Sequence, residues 1–151
     1  MKTTKMNLEE RLSEHFTLKE MTRSATALRL NIDNTPPAAV VDNLRRLCVH
    51  VLEPLRRRFG MIRITSGYRC EELNRKVGGV SNSQHTKGEA ADIHTASMAE
   101  ARKYYDWLQQ NATFDQLLLE RRMGNGCCWL HVSYKNPARG ANRQMARFMK
   151  V

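Results

Sequence analysis

Two apolar runs, residues 114–120 (FDQLLLE) and 127–134 (CCWLHVSY), constrain the fold more than any other part of the chain. The first reads as a strand, and the intervening RRMGNG reads as a turn of the Asn-Gly kind that joins hairpins. The second is then the returning strand. Its period-two alternation puts Cys127, Trp129, His131 and Ser133 on one face and Cys128, Leu130, Val132 and Tyr134 on the other. Residues 61–65 read as a short strand leading into a Ser66-Gly67 turn. GEAADIHT can form another, with Ala90, Asp92 and His94 on one face and Ala91 and Ile93 on the core side.

Helical spacing accounts for most of what remains. Thr35-Pro36-Pro37 supplies an N-cap with proline in the first turn. Val40, Val41, Leu44, Leu47, Cys48, Val51, Leu52, Leu55 and Phe59 follow at three- and four-residue spacing, marking the main core helix, which ends at Gly60. Pro54 interrupts it, so a kink or a restart is expected there. Arg45, Arg46, Arg56 and Arg57 on the opposite face read as a solvated face in preference to a phosphate-binding ridge. Ser97 and Glu100 form a capping box for a helix with Ala101, Tyr104, Tyr105 and Leu108 on one side. Upstream, Thr17 caps a helical turn before a second short helix. CEELNRKV gives one or two turns broken by Gly78-Gly79, and residues 80–88 form a loop. Helices come first, then strands interleaved with a helix, which is an α+β pattern around a small, mostly antiparallel sheet. The expectation is one domain over residues 1–151, with a polar arm at 1–15 and a basic, peripheral segment at 136–151.

A chain of 151 residues buries about 70% of its unfolded surface and needs no staple. Its four cysteines are too few and too irregular for a disulfide framework, so a reducing compartment is the default. The N-terminus lacks the apolar stretch of a secretory signal, and no segment approaches the ~18 apolar residues of a membrane span. The protein is therefore expected to be made soluble in the cytoplasm, without membrane insertion. A formal charge of +10 favours polyanionic partners: nucleic acid, anionic membrane or bacterial cell wall.

Chemistry concentrates on three residues. His85 lies in a loop, Asp92 follows seven residues later, and His131 sits in the WLHVSY run. Two imidazoles and a carboxylate are a ligand set that holds catalytic zinc with a fourth position open. An aspartate set into Ala-Ala-Asp-Ile is costly to bury unless it is paired or bound to metal. Taken singly, His85 and Asp92 are ordinary surface residue types, and His131 has an alternative as a satisfied core histidine. Cys127 and Cys128 with His131 suggest a structural zinc site instead. Adjacent strand residues point to opposite faces, so only one of the pair could share a site with His131, and this reading ranks below the catalytic one.

Ser66-Gly67-Tyr68-Arg69 with Asn74, then Ser83-Gln84-His85-Thr86-Lys87-Gly88-Glu89-Ala90-Ala91-Asp92, then Trp129-Leu130-His131 resembles the zinc D-alanyl-D-alanine carboxypeptidases and related phage endolysins. HFTLKEMTRSATA is similar to the start of one subgroup, so the resemblance covers residues 15–134. It implies a hedgehog-type fold, one zinc held by His85, Asp92 and His131, and hydrolysis of peptidoglycan peptide bonds. Arg69 would face the substrate or the oxyanion, with Tyr68, Ser83 and Trp129 also at the substrate. One departure stands out. Many relatives carry a catalytic glutamate or histidine a few residues before the last ligand, where this chain has Gly126, Cys127 and Cys128. Glu120, the nearest carboxylate across the hairpin, is the expected general base, against a surface carboxylate balanced by Arg121 and Arg122. His94 is either a supporting residue or an exposed imidazole.

The expected function is thus a zinc metallopeptidase acting, as a monomer, on bacterial peptidoglycan peptides. Carboxypeptidase and endopeptidase action both stay open. The lack of a signal fits a phage lysin released through a holin, and equally a cytoplasmic recycling enzyme. One alternative is an inactive zinc-containing cell-wall-binding module. Another is a basic nucleic-acid-binding protein, for which no recognition motif is visible.

Overall fold

Short capped helices open the chain. Thr17 Oγ1 accepts from the Glu20 amide (3.2 Å) to start α1 (Leu18–Thr22), and Ser24 Oγ accepts from Ala27 (3.1 Å) to start α2 (Ala25–Leu30). The structure is a computed structural model that describes residues 7–151. Residues 1–6 of the expected N-terminal arm lie outside the described residues.

The main core helix forms in three pieces: α3 (Ala38–Leu47), a π-helical turn (Cys48–Leu52) and α4 (Glu53–Phe59). Pro54 has no N–H and its ring would press on the carbonyl one turn back, so the backbone widens just before it. The Glu53 amide accordingly bonds Cys48 O, five residues back. The apolar stripe survives this, and Leu44, Leu47, Cys48, Val51, Leu52 and Leu55 are all wholly buried. The opposite face is solvated and ion-paired: Arg45 with Glu10 (3.1 Å), Arg46 with Asp42 (3.2 Å) and Arg57 with Glu14 (3.6 Å). Among the described residues no helix is long and apolar enough to cross a membrane.

After α4 come β1 (Ile64–Ser66), α5 (Glu71–Lys76), a 3-10 turn (Gln84–Lys87) in the expected loop, and β2 (Ala90–His94). Then follow α6 (Met98–Asn111), β3 (Gln116–Arg121), β4 (Cys128–Ser133) and β5 (Met145–Lys150). The five strands form one sheet in the order β1-β2-β4-β3-β5, antiparallel except for the parallel β3–β5 pair. This is the α+β, mostly antiparallel architecture expected. Ala91, Ile93, Leu117, Leu119, Leu130 and Val132 supply the core face and are wholly buried. Their alternate neighbours Asp92, Leu118, Glu120 and His131 therefore share the other face. Register sets Asp92 opposite His131, His131 opposite Leu118, and Glu120 opposite Trp129.

Two local expectations change. The β3–β4 hairpin closes through residues 122–127, with Arg122 N bonding Cys127 O and Gly126 N bonding Arg122 O (both 2.8 Å). It is thus longer than a tight Asn-Gly turn. The segment 136–151, expected to be peripheral, instead contributes the edge strand β5 and neutralises two buried carboxylates. Glu89 is paired by Arg139 and accepts from Asn136 N (2.9 Å), and Asp115 is paired by Arg143. Buried carboxylates need such partners, and the basic tail provides them. The N-terminal arm is tied the same way, because buried Glu53 accepts from Ser13 Oγ (2.8 Å) and from the His15 amide.

Candidate metal centre

The site starts from a close approach at Gly67. A Cβ there would lie 2.3 Å from Met21 O, so only glycine lets the end of β1 pack on α1. Tyr68 N donates to Met21 O (2.8 Å), locking the turn. Gly67 O then accepts a hydrogen bond from His85 Nδ1 (2.7 Å). Because a carbonyl only accepts, Nδ1 carries the proton and the Nε2 lone pair is left free. His85 itself is buried in the 3-10 turn, which Ser83 caps by accepting from the His85 amide (3.2 Å).

His85 Nε2 faces Asp92 Oδ1 at 3.4 Å, and His131 Nδ1 approaches the same oxygen at 3.1 Å. Ligand atoms from His85, Asp92 and His131 all lie within 4.8 Å of one another. Burial acts to raise the Asp92 carboxyl, but the two imidazoles beside it, His131 and His85, outweigh this and hold the group well below the usual carboxylate range. Three inward-facing acceptors in one half-buried spot suit a cation, and two imidazoles with one carboxylate suit zinc. A second group, Glu14, His15 and Glu53, is also close enough to hold an ion. Glu53 is already occupied there by Ser13 and His15, and the cluster serves as the tie of the N-terminal arm.

A cleft of about 510 Å³ opens beside the triad, and Arg69, Ser83, Gln84, Glu120 and Arg143 contribute to its walls. Glu120 lies on the same face as Asp92 and His131, on β3, with β4 between it and Asp92. Burial pushes its carboxyl up from the ordinary value and the Asp92 charge adds to this, while His131, Trp129 and His85 pull it down. The net rise gives it the character of a proton acceptor that can also return a proton. Arg69 is half-buried, and its Nε is buried with no hydrogen-bond partner among the described residues. Its Nη2 reaches Ser83 Oγ at 3.4 Å, and among the described residues it makes no ion pair with Glu71 or Glu72. Burial lowers its pKa and Asp92 opposes that.

The fold thus gathers His85, Asp92, His131, Glu120, Arg69 and Ser83 around one cleft. Tyr68 does not join them, since it is buried in the hydrophobic core and does not line the cleft. Its ring packs in the core, while the next residue, Arg69, lines the cleft. Trp129 is outside the cleft lining, with the Arg122 guanidinium 5.8 Å above its ring. His94 is exposed and borders a separate groove with Cys127 and Cys128. All four cysteines are free, and among the described residues neither Cys127 nor Cys128 clusters with His131. Missing from the sequence reading were Asp115, Arg143 and the role of Gln84. Gln84 lay inside a motif, but the Asp115–Arg143 pair had no local signal.

Residues 14–133 match the family model described as Peptidase M15. No curated protein matches the chain.

Proposed function

This chain belongs to the peptidase M15 family, and from that premise we propose that it is a zinc-dependent hydrolase of bacterial peptidoglycan peptides. The observation that carries the proposal is the convergence of His85 Nε2, Asp92 Oδ1 and His131 Nδ1 beside a cleft walled by Glu120 and Arg69. His85, Asp92 and His131 would hold the metal. When bound, zinc supplies Lewis acidity, which acidifies water and polarises a carbonyl.

The side chains do the rest. Glu120 takes a proton from the attacking water as its oxygen bonds the scissile carbonyl carbon. It then returns that proton to the departing amine as the C–N bond breaks, leaving a carboxylic acid and a free amine, and the second proton of the water passes from the acid to the amine to give carboxylate and ammonium. Its upward-shifted carboxyl fits both halves of this exchange. Arg69, with its unpartnered Nε, meets the carbonyl oxygen as negative charge develops there, an arrangement that permits cuts at internal bonds.

Incubation with purified peptidoglycan followed by product mass analysis tests the proposal. Release of stem-peptide or cross-bridge fragments by the zinc-loaded protein, and none after chelation, is the expected result. Intact peptidoglycan under both conditions would refute it.

A further inference from the structure

Arg143 lies in the C-terminal segment, beyond the residues matched by the family model, yet it contributes to the cleft wall. Its Nε and Nη2 clamp Asp115 Oδ1 and Oδ2 at 3.0 and 2.8 Å, and its backbone N–H also donates to Oδ1 at 3.0 Å. Asp115 is wholly buried just before β3. Among the described residues it has one further side-chain partner, Gln84 Nε2, at 2.8 Å from Oδ2. On its other end, Gln84 Oε1 lies 3.2 Å from His131 Nε2.

We infer that Arg143, Asp115 and Gln84 form a positioning chain that fixes the tautomer of His131 and directs its Nδ1 at the metal. This rests on the metal site proposed above. A carboxylate clamped by a guanidinium can only accept, so Gln84 must turn its NH₂ towards Asp115. Its carbonyl oxygen is then the atom facing His131, and that oxygen can only accept as well. The proton of the imidazole is therefore held on Nε2. Nδ1 is left with its lone pair 3.1 Å from Asp92 Oδ1, where two acceptors face each other unless a cation lies with them. His85 is fixed in the opposite sense by Gly67 O, so the two imidazoles offer different nitrogens to one point.

Reversing Gln84 would set its carbonyl against the Asp115 carboxylate and its NH₂ against His131 Nε2. That arrangement asks His131 to bind metal with the wrong nitrogen or not at all. Arg143 prevents it at a distance by keeping Asp115 an acceptor. Partners that orient ligating histidines typically carry about 10–100-fold in metal affinity.

The test is zinc affinity by competition with a chromophoric chelator, joined to imidazole ¹⁵N spectra of the zinc-loaded protein. Wild type should show His131 ligated through Nδ1 with a protected Nε2–H. Gln84→Met, close in shape but without hydrogen bonds, should bind zinc about 10–100-fold more weakly and lose that protection. Arg143→Met should weaken binding in the same direction, and Arg143→Lys should restore part of it. Equal zinc affinity in wild type and Gln84→Met, or ligation of His131 through Nε2, would overturn the chain while leaving the metal site intact. A wild type that binds no zinc would remove the metal site itself. Should Gln84→Met fail to fold, the wild-type spectrum alone decides, since it reports which nitrogen is protonated.

Discussion

Asp92 and His131 stand directly opposite each other on neighbouring antiparallel strands, with Oδ1 and Nδ1 3.1 Å apart and both side chains on the face away from the core. Strand register alone accounts for this meeting. His85 joins them from the 3-10 turn that leads into β2, so the three groups are held by one short length of sheet and the loop entering it.

Zinc content should follow these three side chains. His85→Ala, Asp92→Ala and His131→Ala are each expected to lose bound zinc, as measured by metal analysis of the purified proteins, while far-UV spectra stay close to wild type. Full stoichiometry in all three variants is the outcome that removes the site.

Glu120→Gln separates metal binding from proton transfer. The variant keeps its size and place on β3 but cannot take up a proton. It should retain zinc and lose about 10²–10⁴-fold in turnover. Turnover near that of wild type would assign the base to another group.

Arg69 divides two modes of action. Arg69→Ala should lose most activity with zinc retained, because its half-buried guanidinium makes no ion pair among the described residues. Wild type should cut a stem peptide equally well with a free or an amidated carboxy terminus if Arg69 serves the developing oxyanion. Activity that vanishes on amidation would instead assign Arg69 to the terminal carboxylate and make the enzyme a carboxypeptidase.

Acid should loosen both ends of the chain. The Arg143 hydrogen bonds outweigh burial and hold the Asp115 carboxyl below its ordinary value. At Glu53 burial pushes upward, but the hydrogen bonds from His15 and Ser13 prevail and the net shift is again downward. A carboxyl depressed in the folded state stabilises fully above its unfolded value, about 3.9–4.3, and loses that contribution as pH falls through the folded value. Urea midpoints should therefore decline from about pH 5 downward. Asp115→Asn should be less stable than wild type at neutral pH yet show a shallower acid decline. An identical pH slope in the two proteins would remove Asp115 from the acid response.

The parts of this protein that could be read from the sequence were those with a local period or a local cap. Alternation alone sorted Ala91 and Ile93 to the core and Asp92 away from it, and set Leu130 and Val132 on the face opposite His131, because side chains on a strand switch faces at every residue; which face of that second strand is the core came from the fold. Three- and four-residue spacing found the core helix in the same way, and Pro54 marked where its geometry would change, though not that the change is a π turn. Glu120 was named from chain order, and the pairing of β3 with β4 is what sets it beside the cleft.

What the tertiary structure alone decided lies between segments distant in sequence. Tyr68 turned inward because its turn packs on α1, an orientation that its place in the Ser66–Arg69 motif does not encode. Glu89 with Arg139 and Asp115 with Arg143 are separated by 50 and 28 residues. Each of these residues alone resembles an ordinary surface charge. A buried carboxylate selects whichever cation the finished fold brings within reach, and no local pattern records that choice. The same holds for the tautomers of His85 and His131, which are set by a carbonyl and an amide that only folding places beside them.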